Sequence, residues 1–404
     1  MEKTQKVTVV TEMHNVKPRL SRRIDSMLHP TVQNCFSVHL DAMRGLAALA
    51  VFASHVRALF FAEYPEVIHP AISIKILYFF AGFGHQAVIV FFVLSGFLIA
   101  SSVQRAFQQE RWSWKWYAQN RLTRLYVVLL PALVLTGIWD RLGMHLFGHN
   151  NVYGALPAYQ HIVSVPILDG SGLGTLLGNA IFMQSILVRP FGSDSPLWSL
   201  TNEFWYYALF PLCLYVFASG VAGVKRIGAG LLALVIFLLV GKAIALLFLV
   251  WLMGAGLVLI PETAIRGKSV WVWVSLGLLL SVLAASRLQK MGTPEMADFI
   301  VGALFAAFLS MLRAHPGKSL LTLYSSLAQF VSQVSYTLYL VHVPILCFIS
   351  AAVIGSNRLW QPNGGHLLLG SCVAALTFVY MLIIWRLTEA NTDRVRRFVQ
   401  RYSR

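Results

Sequence analysis

Ten apolar stretches dictate what this chain can fold into. They lie near 40–62, 77–101, 125–143, 196–218, 227–241, 243–260, 269–286, 297–313, 330–353 and 365–386 of its 404 residues. A membrane-crossing helix needs about 20 predominantly apolar residues. Only 12% of the residues are charged, whereas a soluble chain carries about 25%. The expected fold is all-α, a polytopic transmembrane bundle of about ten helices. Lys242 alone separates the fifth stretch from the sixth, so 227–260 is either a tight hairpin or one long helix with a re-entrant piece.

Charge predicts orientation. The formal net charge is +16, which in a soluble protein would suggest a nucleic-acid partner. Here the cations cluster at the termini and between stretches, as the positive-inside rule requires. Lys3, Lys6, Lys17, Arg19, Arg22 and Arg23 precede the first stretch, and Arg105, Arg111, Lys115, Arg121 and Arg124 separate the second from the third. Lys225 and Arg226, Arg266 and Lys268, Arg313 and Lys318 follow the fourth, sixth and eighth, and Arg394, Arg396, Arg397, Arg401 and Arg404 follow the last. Ten crossings put all of these on one side, predicted to be cytoplasmic, with both termini there. No nucleic acid is expected; anionic membrane lipids and an anionic cytoplasmic ligand are the natural partners.

The chain divides accordingly into a polar cytoplasmic segment 1–39, a membrane domain 40–386 and a basic cytoplasmic tail 387–404. Residues 1–39 hold no apolar signal core, so the first stretch is itself the membrane signal. The opposite loops are poorer in cations; the longest, 144–195, holds His145, His149, His161, Asp169 and Asp194. Cys35, Cys213, Cys347 and Cys372 show neither metal spacing nor a disulfide framework.

Ionisable groups inside the stretches are the functional candidates. Arg44 and His55 are eleven residues apart, which on a helix is roughly 20° in azimuth and about 16 Å along the axis. They share one face. Neutral histidine accepts a proton from a hydroxyl. Arg44 needs a counter-charge, and Asp41 at i−3 is the local candidate. Arg121 and Arg124 put two guanidiniums on one helix face, a fork suited to phosphate, although spacing alone also fits an ordinary cationic flank.

Ser199, Glu203 and Tyr206 align on the fourth stretch, beside Trp198. Glu203 is placed to orient His55 or to hold a sugar hydroxyl. Ser335, Tyr339 and His342 share a face of the ninth stretch, where they either line the same cavity or serve as interhelical hydrogen bonds. Gly82, Gly84 and Gly96 allow close helix approach, and His85 is a secondary candidate. Trp112, Trp114, Trp116 and Tyr117 read as an interfacial aromatic belt or as a lid.

Five segments in order resemble the integral-membrane acyltransferase family 3, which includes O-acetyltransferases of bacterial surface polysaccharides and lipooligosaccharides. They are Leu40–His55 with its Arg-x10-His spacing, Phe91–Ile99, Arg121-x-x-Arg124, Ser195–Ser199 with Glu203, and Ser335–His342. The resemblance spans 40–386 and implies a bundle in the bacterial cytoplasmic (inner) membrane. It implies transfer of an acyl group, usually acetyl, from cytoplasmic acyl-CoA to a hydroxyl across the membrane. Acetyl-CoA is then a co-substrate, with no metal, and the acceptor is a saccharide or lipid-linked glycan.

The same resemblance puts His55 at the chemistry and Arg44, Arg121 and Arg124 at the donor. The residue reading adds Glu203 as a second catalytic candidate, and Trp198, Ser199, Ser335, Tyr339 and His342 at the acceptor. Some relatives carry a further extracytoplasmic esterase-like domain; with 18 residues after the last stretch, none is expected here. The rival reading is a proton-coupled secondary transporter or flippase, against which the lack of internal repeats counts.

Overall fold

The computed structural model describes residues 35–217, 222–260, 269–288, 291–317, 322–355 and 358–402. The cations of 1–34, with Arg266, Lys268, Lys318 and Arg404, lie outside the described residues. Those described form helices and no strand. They are α1 (Cys35–Phe60), α2 (Ile72–Phe80), α3 (Gly84–Gln108), α4 (Trp114–Phe147), α5 (Leu173–Ala180) and α6 (Leu197–Phe217). Then follow α7 (Gly223–Gly256), α8 (Val270–Arg287), α9 (Pro294–Ala314), α10 (Thr322–Val353), α11 (Gly364–Leu387) and α12 (Thr392–Tyr402).

Eight helical segments among the described residues are long and apolar enough to cross a membrane. The shortfall from ten has two local causes. Helix α6 opens on Ser199, Thr201, Asn202 and Glu203, which lower its hydropathy. Helix α7 is two arms: Gly241 leaves helical geometry at φ 76° and ψ 176°. Phe237 and Phe248, eleven residues apart, bring their ring centroids to 5.7 Å, where a straight helix would hold them about 16 Å apart. The segment is therefore the hairpin, not the long helix.

With the arms of α7 counted separately and α6 included, the described helices match the ten expected stretches one for one. The alternation gathers the starts of α1, α4, α7, α8 and α10 at one end, here the cationic end. Contacts at that end include His39 with Tyr324 (2.8 Å) and Arg313 with the Leu257 carbonyl (2.7 Å). At the distal end Arg57 meets Glu63 (3.1 Å) and His85 meets Asp298 (2.8 Å).

The core sits around α10, which packs most extensively on α1, while α3 packs on α7. The second pairing depends on glycine. A Cβ at Gly96 would stand 2.0 Å from the Trp251 carbonyl oxygen, and one at Gly254 would stand 1.9 Å from that of Val93. Small residues at such crossings let backbones approach closely.

Proline inside a helix leaves a carbonyl without its i+4 donor. Pro211 in α6 frees the Tyr207 carbonyl, and the Tyr117 hydroxyl donates to it at 3.0 Å, tying the start of α4 to α6. The long 144–195 loop folds down as a packed cap with Tyr153, Tyr159 and Phe182 buried. Asp140 of α4 pins it by accepting from the Ser193 amide (2.8 Å) and hydroxyl (2.6 Å).

Candidate active site

Helices α1 and α10 lie against each other, and that packing brings His55 to His342. Nδ1 of His55 is 2.6 Å from Nε2 of His342, and the rings stack at 4.9 Å with 19° between planes. Nδ1 of His342 lies 2.7 Å from the Leu338 carbonyl. A carbonyl only accepts, so that nitrogen carries the proton and Nε2 of His342 is the acceptor. His55 then donates through Nδ1, and its own Nε2 keeps a lone pair. The assignment follows from the bonding network. Phe52 packs edge-on at 5.7 Å against His342, which is fully buried.

Toward the cationic end lies a cavity of about 110 Å³, lined by Arg44, Arg121, Arg124, Ser199, Glu203, Ser335 and Tyr339 among others. Beyond it a vestibule of about 510 Å³ is lined by Asp41, Arg44, Arg124, Gln333, Glu389 and Arg396 among others. Arg44 and Arg124 border both spaces and so stand between them.

The anticipated Asp41–Arg44 pair is not formed within 4.0 Å; Asp41 accepts instead from the Ser332 hydroxyl at 2.7 Å. Among the described residues, neither Arg44 nor Arg124 makes a hydrogen bond or salt bridge. Two such guanidiniums inside a bundle are costly unless an anion joins them. Arg121 is better supported: it donates to Ser102 at 3.1 Å and lies over the rings of Tyr117 and Tyr207, each at 5.7 Å.

The structure brings seven of the ten anticipated site residues around one cavity, and joins His55 to His342 outside its lining. Trp198 packs edge-on against Phe92 at 6.2 Å. Glu203 accepts from the Tyr207 hydroxyl and faces the arginines; among the described residues no hydrogen bond links it to His55. The Ser199 hydroxyl donates to the Pro196 carbonyl at 3.1 Å, so the Tyr339 hydroxyl, 2.7 Å from it, is the donor of that pair. Tyr339 closes the cavity one turn before His342. The 112–117 aromatics form a rim cluster in which Trp112 stacks on Phe107 at 4.7 Å.

Two residues of the site, Glu389 and Tyr207, escaped the sequence reading. Glu389 accepts from the Thr337 amide (3.0 Å) and hydroxyl (2.6 Å) and shares the vestibule with Arg44 and Arg124. Tyr207 holds Glu203. Asp194, in the 144–195 loop, is fully buried; burial first, and the nearby Asp140 carboxyl second, push its own carboxyl well above the usual carboxylate range. For Glu389 and Tyr207 there was a signal: an acid at the start of a cationic tail, and a tyrosine at i+4 from a glutamate.

A family model described as an acyltransferase domain matches residues 38–386. Acyltransferase MdmB of Streptomyces mycarofaciens is 30% identical over 178 residues, which are 43% of this chain and 38% of that protein. The match therefore takes in well under two thirds of the relative's length. No solved structure matches the chain.

Proposed function

The chain belongs to the acyltransferase family 3 of membrane proteins, and from that premise we propose that it carries an acyl group, acetyl in the first instance, from acyl-CoA to a hydroxyl of a saccharide. The observation that carries this reading is the pair of guanidiniums, Arg44 and Arg124, which make no hydrogen bond or salt bridge among the described residues, at a cavity bounded by Tyr339 one turn before His342, the residue that sets the free Nε2 of His55.

The chemistry assigns the parts. The positive-inside distribution argues that the cationic end is cytoplasmic, in an inner membrane, with both termini on that side. Phosphate oxygens of CoA then meet Arg44, Arg121 and Arg124 by charge-assisted hydrogen bonds. The thin pantetheine arm occupies the cavity, and rotation of Tyr339 away from Ser199 lets the thioester advance toward His55. Nε2 of His55 takes the acceptor hydroxyl proton as the oxygen attacks the thioester carbonyl. The C–S bond breaks, the ester forms, and the proton passes from His55 to the departing CoA thiolate. His342 is a positioning residue: it fixes the His55 tautomer and bears the partial charge that develops on the pair. Glu203, held by Tyr207, supplies negative charge near Arg44 and Arg124.

The test is transfer from labelled acetyl-CoA to candidate saccharides by the full-length protein in vesicles. His55→Ala is expected to lower turnover by roughly 10²–10⁴-fold. Arg121→Ala with Arg124→Ala is expected to weaken CoA binding by more than tenfold, since a hydrogen bond to a charged group contributes about 1.5–3 kcal/mol. Passage of intact solute with no dependence on CoA would instead establish the proton-coupled transporter or flippase and overturn the proposal.

A further inference from the structure

The distal end carries a second pair of arginines that the transfer chemistry does not use. Arg57 lies two residues beyond His55, on α1. Its Nη1 meets Glu63 at 3.1 Å, and its guanidinium lies over the Tyr78 ring at 5.7 Å. Arg287 ends α8 and reaches back over the turn between α2 and α3. There its Nε sits where a Cβ at Gly82 would be only 1.8 Å away. Arg287 is close enough to Arg57 and Glu63 for their charges to interact.

Two features make this arrangement incomplete. Two guanidiniums have one carboxylate near them, and that carboxylate is bonded to Arg57. Both Nε–H donors are buried and have no hydrogen-bond partner; among the described residues Arg287 makes neither a hydrogen bond nor a salt bridge. Buried donors are almost always satisfied, and like charges side by side are repulsive. An anion between the guanidiniums removes both defects.

Location narrows the anion. Helix α8 buries only Leu279, so its outward face meets lipid and Arg287 stands where that face reaches the distal interface. A ligand arriving from the bilayer passes this point. His55 projects toward α10 and Arg57 toward α2, on opposite sides of one turn of α1. An anion held by Arg57 therefore lies across α1 from His55 and not at it.

Resting on the acyl-transfer reading above, we propose that Arg57 and Arg287 form a phosphate site for a lipid-borne acceptor, whose saccharide then reaches His55 around α1. The phosphate has two possible sources, a lipid-linked acceptor or a bulk phospholipid headgroup, and the experiment separates them. Full-length protein in uncharged maltoside micelles, with the donor site saturated by CoA, is titrated with dodecyl phosphate. Wild type is expected to bind saturably. Arg287→Gln is expected to weaken binding about tenfold. Gly82→Ala is expected to do nearly the same while keeping every charge, because its methyl displaces the guanidinium.

Unchanged CoA binding in both variants serves as the control for folding. Equal dodecyl phosphate affinity in all three proteins overturns the proposal. So does full displacement by phosphatidylglycerol at equal mole fraction, which would make the site a bulk headgroup site. Acyl transfer measured on the same preparations keeps the two readings apart. Transfer without phosphate binding overturns only this inference, and phosphate binding without transfer overturns only the enzymatic one.

Discussion

Helices α8 and α10 have nearly the same standing by hydropathy, and each is apolar enough to cross a bilayer. They have opposite fates. Sixteen residues of α10 are buried, and among them Ser332, Ser335, Thr337 and His342 are polar. Helix α8 buries one, Leu279. Lipid solvates an apolar side chain as well as a protein core does, so greasiness cannot decide which helix is central. What decides it is the polar group that lipid will not solvate. The Thr337 hydroxyl must find Glu389, and His342 must find His55, so α10 is drawn to the middle.

That contrast can be broken or sharpened by substitution. The largest effect is expected at His342. His342→Ala frees the His55 tautomer and is expected to lower turnover about 100-fold, or about 2.7 kcal/mol in the barrier, with CoA affinity unchanged. His342→Gln, which can still accept from His55, is expected to recover part of the loss; equal activity of Ala and Gln variants would remove the positioning role. A smaller effect is expected where packing alone is at stake. Gly254→Leu drives α7 from α3 and is expected to destabilise the protein by about 1–3 kcal/mol, read from denaturant unfolding in micelles. The smallest is on the outward helix: Leu278→Ala, at a position 53% exposed, is expected to change stability by less than about 0.5 kcal/mol. A large loss there would mean that α8 is covered by another molecule.

The same physics explains what could be read in advance. The ten stretches and the polar residues within them stand out because each is a contrast along the chain. Arg44, Ser199, Glu203, Ser335 and Tyr339 were legible on that ground, Arg121 and Arg124 through the family resemblance, and all seven converge on one cavity. The His55–His342 bond was not, because the two residues are 287 positions apart. Helical spacing gives the face a residue occupies but not which helix that face meets. Glu203 reads from its depth as orienting His55 or holding a sugar hydroxyl, and the structure gives it Tyr207. Glu389 is hidden by its neighbours, since a tail that is basic on balance conceals its two acids, Glu389 and Asp393. Arg57 and Arg287 ran against the charge rule used for orientation and were averaged away by it.

The reversal of α7 at Gly241 has a consequence for how the molecule is put together. The turn holds little more than Gly241 and Lys242, both exposed, and the positive φ there favours a residue without a Cβ. A turn of two residues leaves the arms no slack, so they stand as one antiparallel pair, and the groove at Gly254 in which α3 lies belongs to that pair rather than to a single span.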